Sequence, residues 1–373
     1  MNLAENILDV EAILDVKASN EPIDLRSRHG KLVSSIITLA HGGGGKAMRD
    51  LIDDVFIDAF SNSALNTLED QARFLLTDLA IHGDRLAMTT DSYVIDPIFF
   101  PGGDIGKLAI CGTVNDLAVG GAIPLYLTCA MIIEEGMEVT TLRKIVQSMA
   151  DTAKAAGVFI VTGDTKVVER GSCDKIFINT TGIGVIHKDY QLGVHKAQAN
   201  DHILVNGFLG DHGAAILDAR GEMNLSTQIQ SDCAPLHDLI QTLLKAAPNT
   251  RFIRDATRGG IASVLNEIAD ASKCAIEIQE TSTPIRTEVK GFCEILGLDP
   301  LYLANEGKLV AVVPGNEVAA ALAAMRAHPL GHDAADIGQV LGNGRAGRVH
   351  MQTSFGGKRI VDMLVGEQLP RIC

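Results

Sequence analysis

Tryptophan is absent from this chain, and only four tyrosines and eleven phenylalanines supply its aromatic rings. A base-stacking platform or an aromatic sugar cradle has little to work with. Positive charge is also short: 32 Lys and Arg face 46 Asp and Glu, a formal net charge of −14. No basic patch of the kind that tracks nucleic acid stands out. Apolar runs stop at strand length, far short of the roughly 20 residues of a membrane-spanning helix. The opening MNLAENILDVEAILDV is acidic and has no basic start feeding an apolar stretch, which argues against an ordinary signal peptide. These absences lead to the expectation of a cytoplasmic protein that binds neither nucleic acid nor membrane. The seven cysteines, at 111, 129, 173, 233, 274, 293 and 373, form no CxxC pair and no zinc-like cluster. Six read as inert thiols in apolar or mixed segments. The seventh is the last residue, with no downstream chain to pack, and reads as an exposed, mobile thiol able to carry a group between sites.

The 373 residues are 46% apolar and 21% charged, enough to bury a sizeable core and to form about two domains. Residues 1–37 read as an N-terminal extension, with an amphipathic segment around Ile7 to Val16 and a charged stretch after it. Strand-like Val33–Leu39 leads to four glycines and a helical pattern through Phe60. Strands are expected at Leu86–Thr90, Tyr126–Ile133, Val158–Val161 and Ile176–Ile186, with helices at Gly106–Val119 and Thr140–Ala156. A boundary falls near 188–200. Beyond it come strands at Ile203–Val205, 275–278 and 308–313, helices at 234–247, 261–272 and 315–327, and short strand-like pieces at 345–365. The expected units are an extension (1–37), an α/β domain (38–190), a second α/β domain (191–360) and a mobile tail (361–373).

Four constellations carry chemistry. In GGGGKAM, the backbone amides of Gly42, Gly43, Gly44 and Gly45 can surround phosphate oxygens at a helix N-terminus, with Lys46 beside them. An ordinary flexible turn is the plain alternative. Second, Asp91, Asp116, Asp164 and Asp255 each end or follow an apolar segment, and Asn115 precedes Asp116. Carboxylates held at strand ends suit a magnesium ion bridging to a polyphosphate; a single such Asp is more often a turn residue or cap. That ion would invert the local field of an acidic chain. Third come GDTKVV, with Gly163, Thr165 and Lys166, and RDATRGG, where Arg254 and Arg258 flank Asp255. Lys166 could support a developing oxyanion. His212 in GDHGAA and Glu267 in VLNEIAD are possible proton carriers, Glu267 if partial burial raises its pKa. The fourth is Cys373 itself.

Taken in order, TTDSYVIDPIFFPGGDIGKLAICGTVNDLAVGGAIP, VTGDTKVVERG, LGDHGAA, RDATRGG, LANEGKLV and the terminal PRIC resemble the hydrogenase maturation carbamoyl dehydratase (HypE) family, from about Thr38 to Cys373. The Asp-Gly motifs recur across the wider superfamily of aminoimidazole ribonucleotide synthetase; PRIC is far more specific. The resemblance implies an α/β, purine-synthetase-like (PurM-like) two-domain fold. Its N-terminal domain would dimerise through a β-barrel, and ATP would bind between the domains. It implies that Cys373 receives a carbamoyl group from the carbamoyltransferase HypF. ATP would then dehydrate that group to a thiocyanate, and cyanide would pass to iron on a HypC–HypD complex. On that reading Asp91, Asp116 and Asp255 hold magnesium and ATP, with Asp164 as a further candidate. Lys166 supports the carbamoyl oxygen or phosphate, Glu267 or His212 is the base, and Gly42 to Gly45 fold over the nucleotide.

Two departures stand out: the first 37 residues share no motif with the family, and GGGG stands where the pattern usually has a serine among the glycines. Two competing functions remain at this stage. One is an ATP-dependent small-molecule phosphotransferase, such as a selenide or thiamine-monophosphate kinase, with no role for Cys373. The other is a non-catalytic carrier with a reactive tail and no ATP turnover.

Overall fold

The structure, a computed structural model, describes residues 32–221, 228–342, 346–364, 366 and 371–373. The expected extension as far as residue 31, and the tail at 365 and 367–370, lie outside the described residues. Two sheets organise the rest. The first is four-stranded, in the order β1 (Arg85–Tyr93), β6 (Ile176–Ile186), β4 (Ala122–Glu134), β5 (Phe159–Val168). Only β4 and β5 run parallel. The second is seven-stranded, in the order β13 (Lys358–Ile360), β12 (Arg348–Gln352), β9 (Ala275–Gln279), β11 (Ala335–Leu341), β7 (Asp201–Val205), β10 (Leu309–Pro314), β8 (Phe252–Asp255). A short pair, β2 (Phe99–Phe100) and β3 (Gly103–Asp104), completes the strands. The α-helices of six or more residues are α1 (Lys46–Leu51), α2 (Ile105–Val119), α3 (Val139–Ala155), α4 (Asp211–Ala219), α5 (His237–Ala246), α6 (Gly260–Ala271), α7 (Thr287–Leu296) and α8 (Val318–Ala327).

Helix α2 positions the site. Asp104 caps it, its Oδ1 accepting from the amides of Gly106 (2.7 Å) and Lys107 (3.1 Å). Almost every residue of α2 is buried, because it packs on β1, β6 and α3 on one side and on β8 and α5 on the other. A helix covered all round carries apolar residues all round. Its close approach to the first sheet needs two glycines. A Cβ at Gly112 would lie 2.3 Å from the Tyr93 hydroxyl, and one at Gly182 would lie 2.8 Å from Leu117 and Thr113.

Near its end α2 is tied to the second domain by Asn115. Its Nδ2 donates to the carbonyls of Ala234 (3.1 Å) and Glu306 (3.3 Å), and its Oδ1 accepts from the Leu236 amide at 2.7 Å. The side-chain amide is fully engaged in joining the two halves.

Several elements differ from expectation. Strand β5, expected over Val158–Val161, runs on to Val168, because β4 continues to pair with it through Asp164↔Ala130 and Lys166↔Ile132. The alternation of a strand then turns Asp164 and Lys166 to one exposed face and Thr165 to the buried one. Val33–Leu39 forms no strand; Ile36 makes one isolated bridge to Glu138, and Ile37 is fully buried. The pattern through Phe60 is one α-helical stretch that widens to a π-helical segment at Ile52–Ile57. Strand β11 gives no apolar alternation, because Gly338 sits where a Cβ would meet the Glu277 carbonyl at 2.1 Å. Helix α7 was likewise unforeseen.

Replacing Asn115 by alanine orphans the buried Leu236 amide and removes the side-chain donor of the Ala234 and Glu306 carbonyls. Asn115→Ala is expected to lower stability by about 2–4 kcal/mol, read from chemical denaturation midpoints at unchanged slope.

Candidate active site

The end of β8, the segment leading into β10, the end of α2 and the middle of β1 converge on one cavity of about 420 Å³. Asp91 and Thr89 come from β1, Asp116 from α2 and Asp255 from β8, with Arg254, Arg258, Glu306 and Cys373 completing the polar wall. The register Leu309↔Asp255 explains Glu306: three residues before Leu309, it passes beside the end of β8. The two glycines of RDATRGG are forced by geometry. Gly259 (φ 76) and Gly260 (φ 57) turn the chain into α6 in the left-handed region, and a Cβ on Gly260 would meet the Leu301 carbonyl at 2.4 Å.

The cavity crowds carboxyls. Burial, then the charges of Asp116 and Asp91, push Asp255 up to about 7. Burial raises Asp116, and Asp91 adds to it, against a hydrogen bond from Thr89 Oγ1 at 3.0 Å. Glu306 is raised well above the ordinary carboxylate range, by burial first and then by Cys233, Asp255, Asp232 and Asp91. Its amide is fixed by Asp232 Oδ1 at 3.0 Å, and its Oε1 is buried without a hydrogen-bond partner. Burial of this kind favours the protonated form of a carboxyl.

Cys373 is docked in this cavity, half-buried, rather than displayed on a free tail. Burial, then the charges of Glu306 and Asp91, push its thiol up to about 12, with Arg258 opposing.

The predicted residues separate into groups. Asp91, Asp116, Asp255 and Cys373 meet in the cavity. They do not form a ready-made metal centre: among the described residues no three His, Cys, Asp or Glu side chains converge to hold an ion. The oxygen-only donor set still fits a hard cation that takes its remaining ligands from phosphate and water. Gly42 to Gly45, Lys46, Gly163, Asp164, Thr165 and Lys166 sit elsewhere. Gly42 packs on Val167 of β5, and Lys166 pairs with Asp164 at 2.6 Å. Strand β5 is the opposite edge of the sheet from β1, about 14 Å away at the usual strand spacing. Lys46 pairs with Asp50. Asn115 is the interdomain tie described above. Glu267 is partly buried as expected, its side chain 39% exposed, but it pairs with Arg254 at 3.4 Å and lies outside the cavity lining. His212 is fully buried outside the cavity lining, with its Nε2 on the Ile372 carbonyl at 2.8 Å. Sequence reasoning missed Glu306, although LANEGKLV was in view; the signal was a lone acid directly before a strand of unbroken apolar residues, β10.

Models of the AIR synthase related protein family match the chain in both halves, its N-terminal domain over residues 70–186 and its C-terminal domain over 198–350. The carbamoyl dehydratase HypE of Rhodobacter capsulatus is 60% identical over 90% of this chain and 98% of its own length. This chain belongs to the HypE family of carbamoyl dehydratases. The Bradyrhizobium diazoefficiens HypE is 49% identical over 96% of this chain and all of its own, so its likeness reaches into the first 37 residues. A solved HypE in complex with ATP superposes with a TM-score of 0.85 at 50% identity, covering 90% of this chain and 99% of that one. A HypE from a HypE–HypF complex superposes at 0.73 and 47% identity, over 86% and 100% of the two chains. Thiamine monophosphate kinase of Aquifex aeolicus, at 21% identity and 0.56 over 74% and 89%, shares the fold. No helix among the described residues is long and apolar enough to cross a membrane.

The docked thiol has a pH signature. A free cysteine ionises near 8.5, so docking favours the protonated form. Docking strength from this source is complete below about pH 8.5 and is lost as pH rises toward 12. The 240-nm thiolate absorbance of the protein minus that of Cys373→Ser should be near zero at pH 8.5, where the peptide Arg-Ile-Cys is about half ionised. An equal signal from protein and peptide would contradict the docked position.

Proposed function

We propose that this cavity dehydrates a carbamoyl group carried on the Cys373 sulfur, at the expense of ATP, and leaves a thiocyanate whose cyanide becomes a ligand of hydrogenase iron. The observation that carries the reading is the terminal thiol docked among Asp91, Asp116, Asp255, Arg258 and Glu306. A phosphotransferase acting on a free small molecule has no use for that docking.

The chemistry follows from the leaving group. An amide oxygen leaves poorly. Attack of that oxygen on the γ-phosphorus, with release of ADP, makes an iminophosphate. One N–H proton leaves as the iminophosphate forms, and loss of phosphate with the second N–H proton then forms the nitrile. Asp91, Asp116 and Asp255 are the residues that would hold Mg²⁺, with Thr89 beside Asp116. Bound there, the ion would neutralise phosphate charge and orient the chain of phosphates. Arg254 and Arg258 supply guanidinium groups to the same space. Glu306 is our choice for the proton carrier in place of Glu267 and His212. It alone combines a raised pKa, an unpartnered carboxyl oxygen and a place beside Cys373. A carboxyl shifted toward neutrality exchanges protons efficiently.

The nucleophile in carbamoyl transfer is a thiolate. With its thiol held at about 12 when docked, Cys373 must leave the cavity to accept the group from a HypF-type carbamoyltransferase. It leaves again to meet an iron-carrying HypC–HypD complex. We further propose a homodimer. Leu86 and Met88 of β1, Ile132 of β4, and Asp164 and Lys166 of β5 lie exposed on one face of the first sheet. Closing two such faces into a barrel would cover the apolar groups and carry the glycine loop and Lys166 of one copy toward the acids of the other.

The deciding measurement is the mass of the C-terminal peptide after incubation with carbamoyl donor, carbamoyltransferase and Mg-ATP. A carbamoyl adduct on Cys373 that loses one water only with ATP is expected; no adduct, or loss without ATP, would refute the reading. Glu306→Gln should carbamoylate normally yet lose water on the order of 10²-fold more slowly or worse, whereas Glu267→Gln should stay within a few-fold of the parent.

A further inference from the structure

The last three residues occupy a socket built from three separate parts of the chain: residues 94–96, Asp174, and helix α4 with Arg220 just beyond it. The Val94 amide donates to the Cys373 carbonyl at 3.1 Å, and the Asp96 amide to the Arg371 carbonyl at 3.4 Å. Arg220, just past the end of α4, donates from Nη2 to the Arg371 carbonyl (2.8 Å) and from Nε to the Asp96 carbonyl (2.9 Å), so it straddles tail and socket. The Arg371 side chain answers in kind: its Nε donates to the Val94 carbonyl at 3.0 Å, and its Nη1 pairs with the Asp174 carboxylate. The Ile372 side chain is buried in the core of the first domain.

His212 makes the most buried of these contacts. Its Nε2 lies 2.8 Å from the Ile372 carbonyl, and a carbonyl only accepts, so Nε2 carries the hydrogen. Nδ1 is then the acceptor, taking a hydrogen bond from Ser231 Oγ at 2.8 Å, while Ser231 Oγ accepts from the Cys233 amide at 3.1 Å. The ring sits edge-on to Phe100, 5.6 Å between centroids. Burial keeps the imidazole below its usual pKa, outweighing Asp232 and the Ile372 carbonyl, so the ring is neutral at pH 7. Both nitrogens are spent, which leaves no lone pair to accept a substrate proton.

Every tail bond named here ends on backbone atoms of residues 371–373 or on the Arg371 side chain. Among the described residues none ends on the Cys373 sulfur, which faces the cavity. The grip therefore cannot tell a thiol from a carbamoylated or cyanated sulfur. Working against it, Arg371 holds a left-handed backbone (φ 54), a strained conformation for a residue with a side chain. The docked state is a balance between a handful of hydrogen bonds and the strain and lost freedom of the tail.

We propose that His212, together with Arg220 and Asp174, forms a backbone latch that sets how much of the time the tail is docked, whatever the sulfur carries, and that His212 is a positioning residue for dehydration. The role in dehydration rests on the reading that Cys373 carries the carbamoyl group; the latch itself does not.

The test uses the full-length protein and the rate at which iodoacetamide alkylates Cys373 at pH 7.5, read by mass on the peptide released after Glu367. His212→Ala removes the donor and should speed alkylation on the order of tenfold. His212→Gln, which retains an N–H, should stay close to the parent rate. Asp174→Ala loosens Arg371 from the surface and should also accelerate alkylation; it serves if His212→Ala does not fold. An unchanged rate in His212→Ala, or in Asp174→Ala where it stands in, overturns the latch, as does His212→Gln alkylating as fast as His212→Ala. In single turnovers of the carbamoylated protein, His212→Ala (or Asp174→Ala in its place) should slow water loss at saturating ATP and leave the half-saturating ATP concentration in place. Unslowed water loss from a released tail refutes the positioning role. Absence of water loss in the parent protein would instead defeat the dehydratase reading and leave the alkylation comparison standing.

Discussion

A single buried amide holds the two halves of the cavity in register. Asn115, on the helix of the first domain, bonds the Glu306 and Ala234 carbonyls and the Leu236 amide of the second. Its neighbour Asp116 then projects into the cavity, and Glu306 is held by its own backbone on the facing wall. The acids of β1 and α2 belong to one domain, and those of β8 and the segment before β10 to the other. Without that tie their separation would follow the looseness of an interdomain seam. Helix α2 is the element on which this depends, and Gly112 and Gly182 let it lie close enough to the first sheet to serve both sides.

The cavity so assembled is electrostatically unfinished. Burial and mutual repulsion lift Asp116, Asp255 and Glu306 together, and the same surroundings keep the docked thiol protonated. Arg254 and Arg258 offset only part of this, and Arg254 is shared with Glu267 outside. Such a set gains most from a dication that arrives with phosphate oxygens. It also gives the cavity two uses for one protein tail. Inside, the sulfur is unreactive as a nucleophile and its substituent is exposed to acid–base chemistry; outside, the ordinary thiol chemistry returns.

Geometry divides the residues expected to handle phosphate just as sharply. The glycine loop lies against β5, and Lys166 is on β5 itself, with two strands between them and β1. A site that used both sets would draw them from two copies of the chain, which is the physical argument for pairing the open sheet faces. The docked tail adds a third component, held by its backbone through His212 and Arg220 and free to present different groups on its sulfur.

Much of this was legible in the linear chain. Asp91, Asp116 and Asp255 stood out because each ends or adjoins an apolar segment beside small residues, and Cys373 because it closes the specific PRIC motif. The order of motifs pointed to the family before any geometry was known. Local pattern failed where a partner strand or a distant segment makes the decision. Strand β5 runs past Gly163 because β4 keeps pairing with it, and β11 is a strand because β7 and β9 flank it. Glu267 is partly buried, as its apolar neighbours suggest, yet it pairs with Arg254 outside the cavity lining. His212 looked like a base, yet the fold engages both ring nitrogens, Nε2 on the tail and Nδ1 on Ser231. Sequence alone thus determined which chemical groups the protein owns, because composition and motif order are local facts. Only tertiary structure decided which groups meet, because burial, pKa and hydrogen-bond partnership depend on residues far apart in the chain. Glu306 acquires its character in just this way, from Asp91, Asp232, Cys233 and Asp255 closing around it.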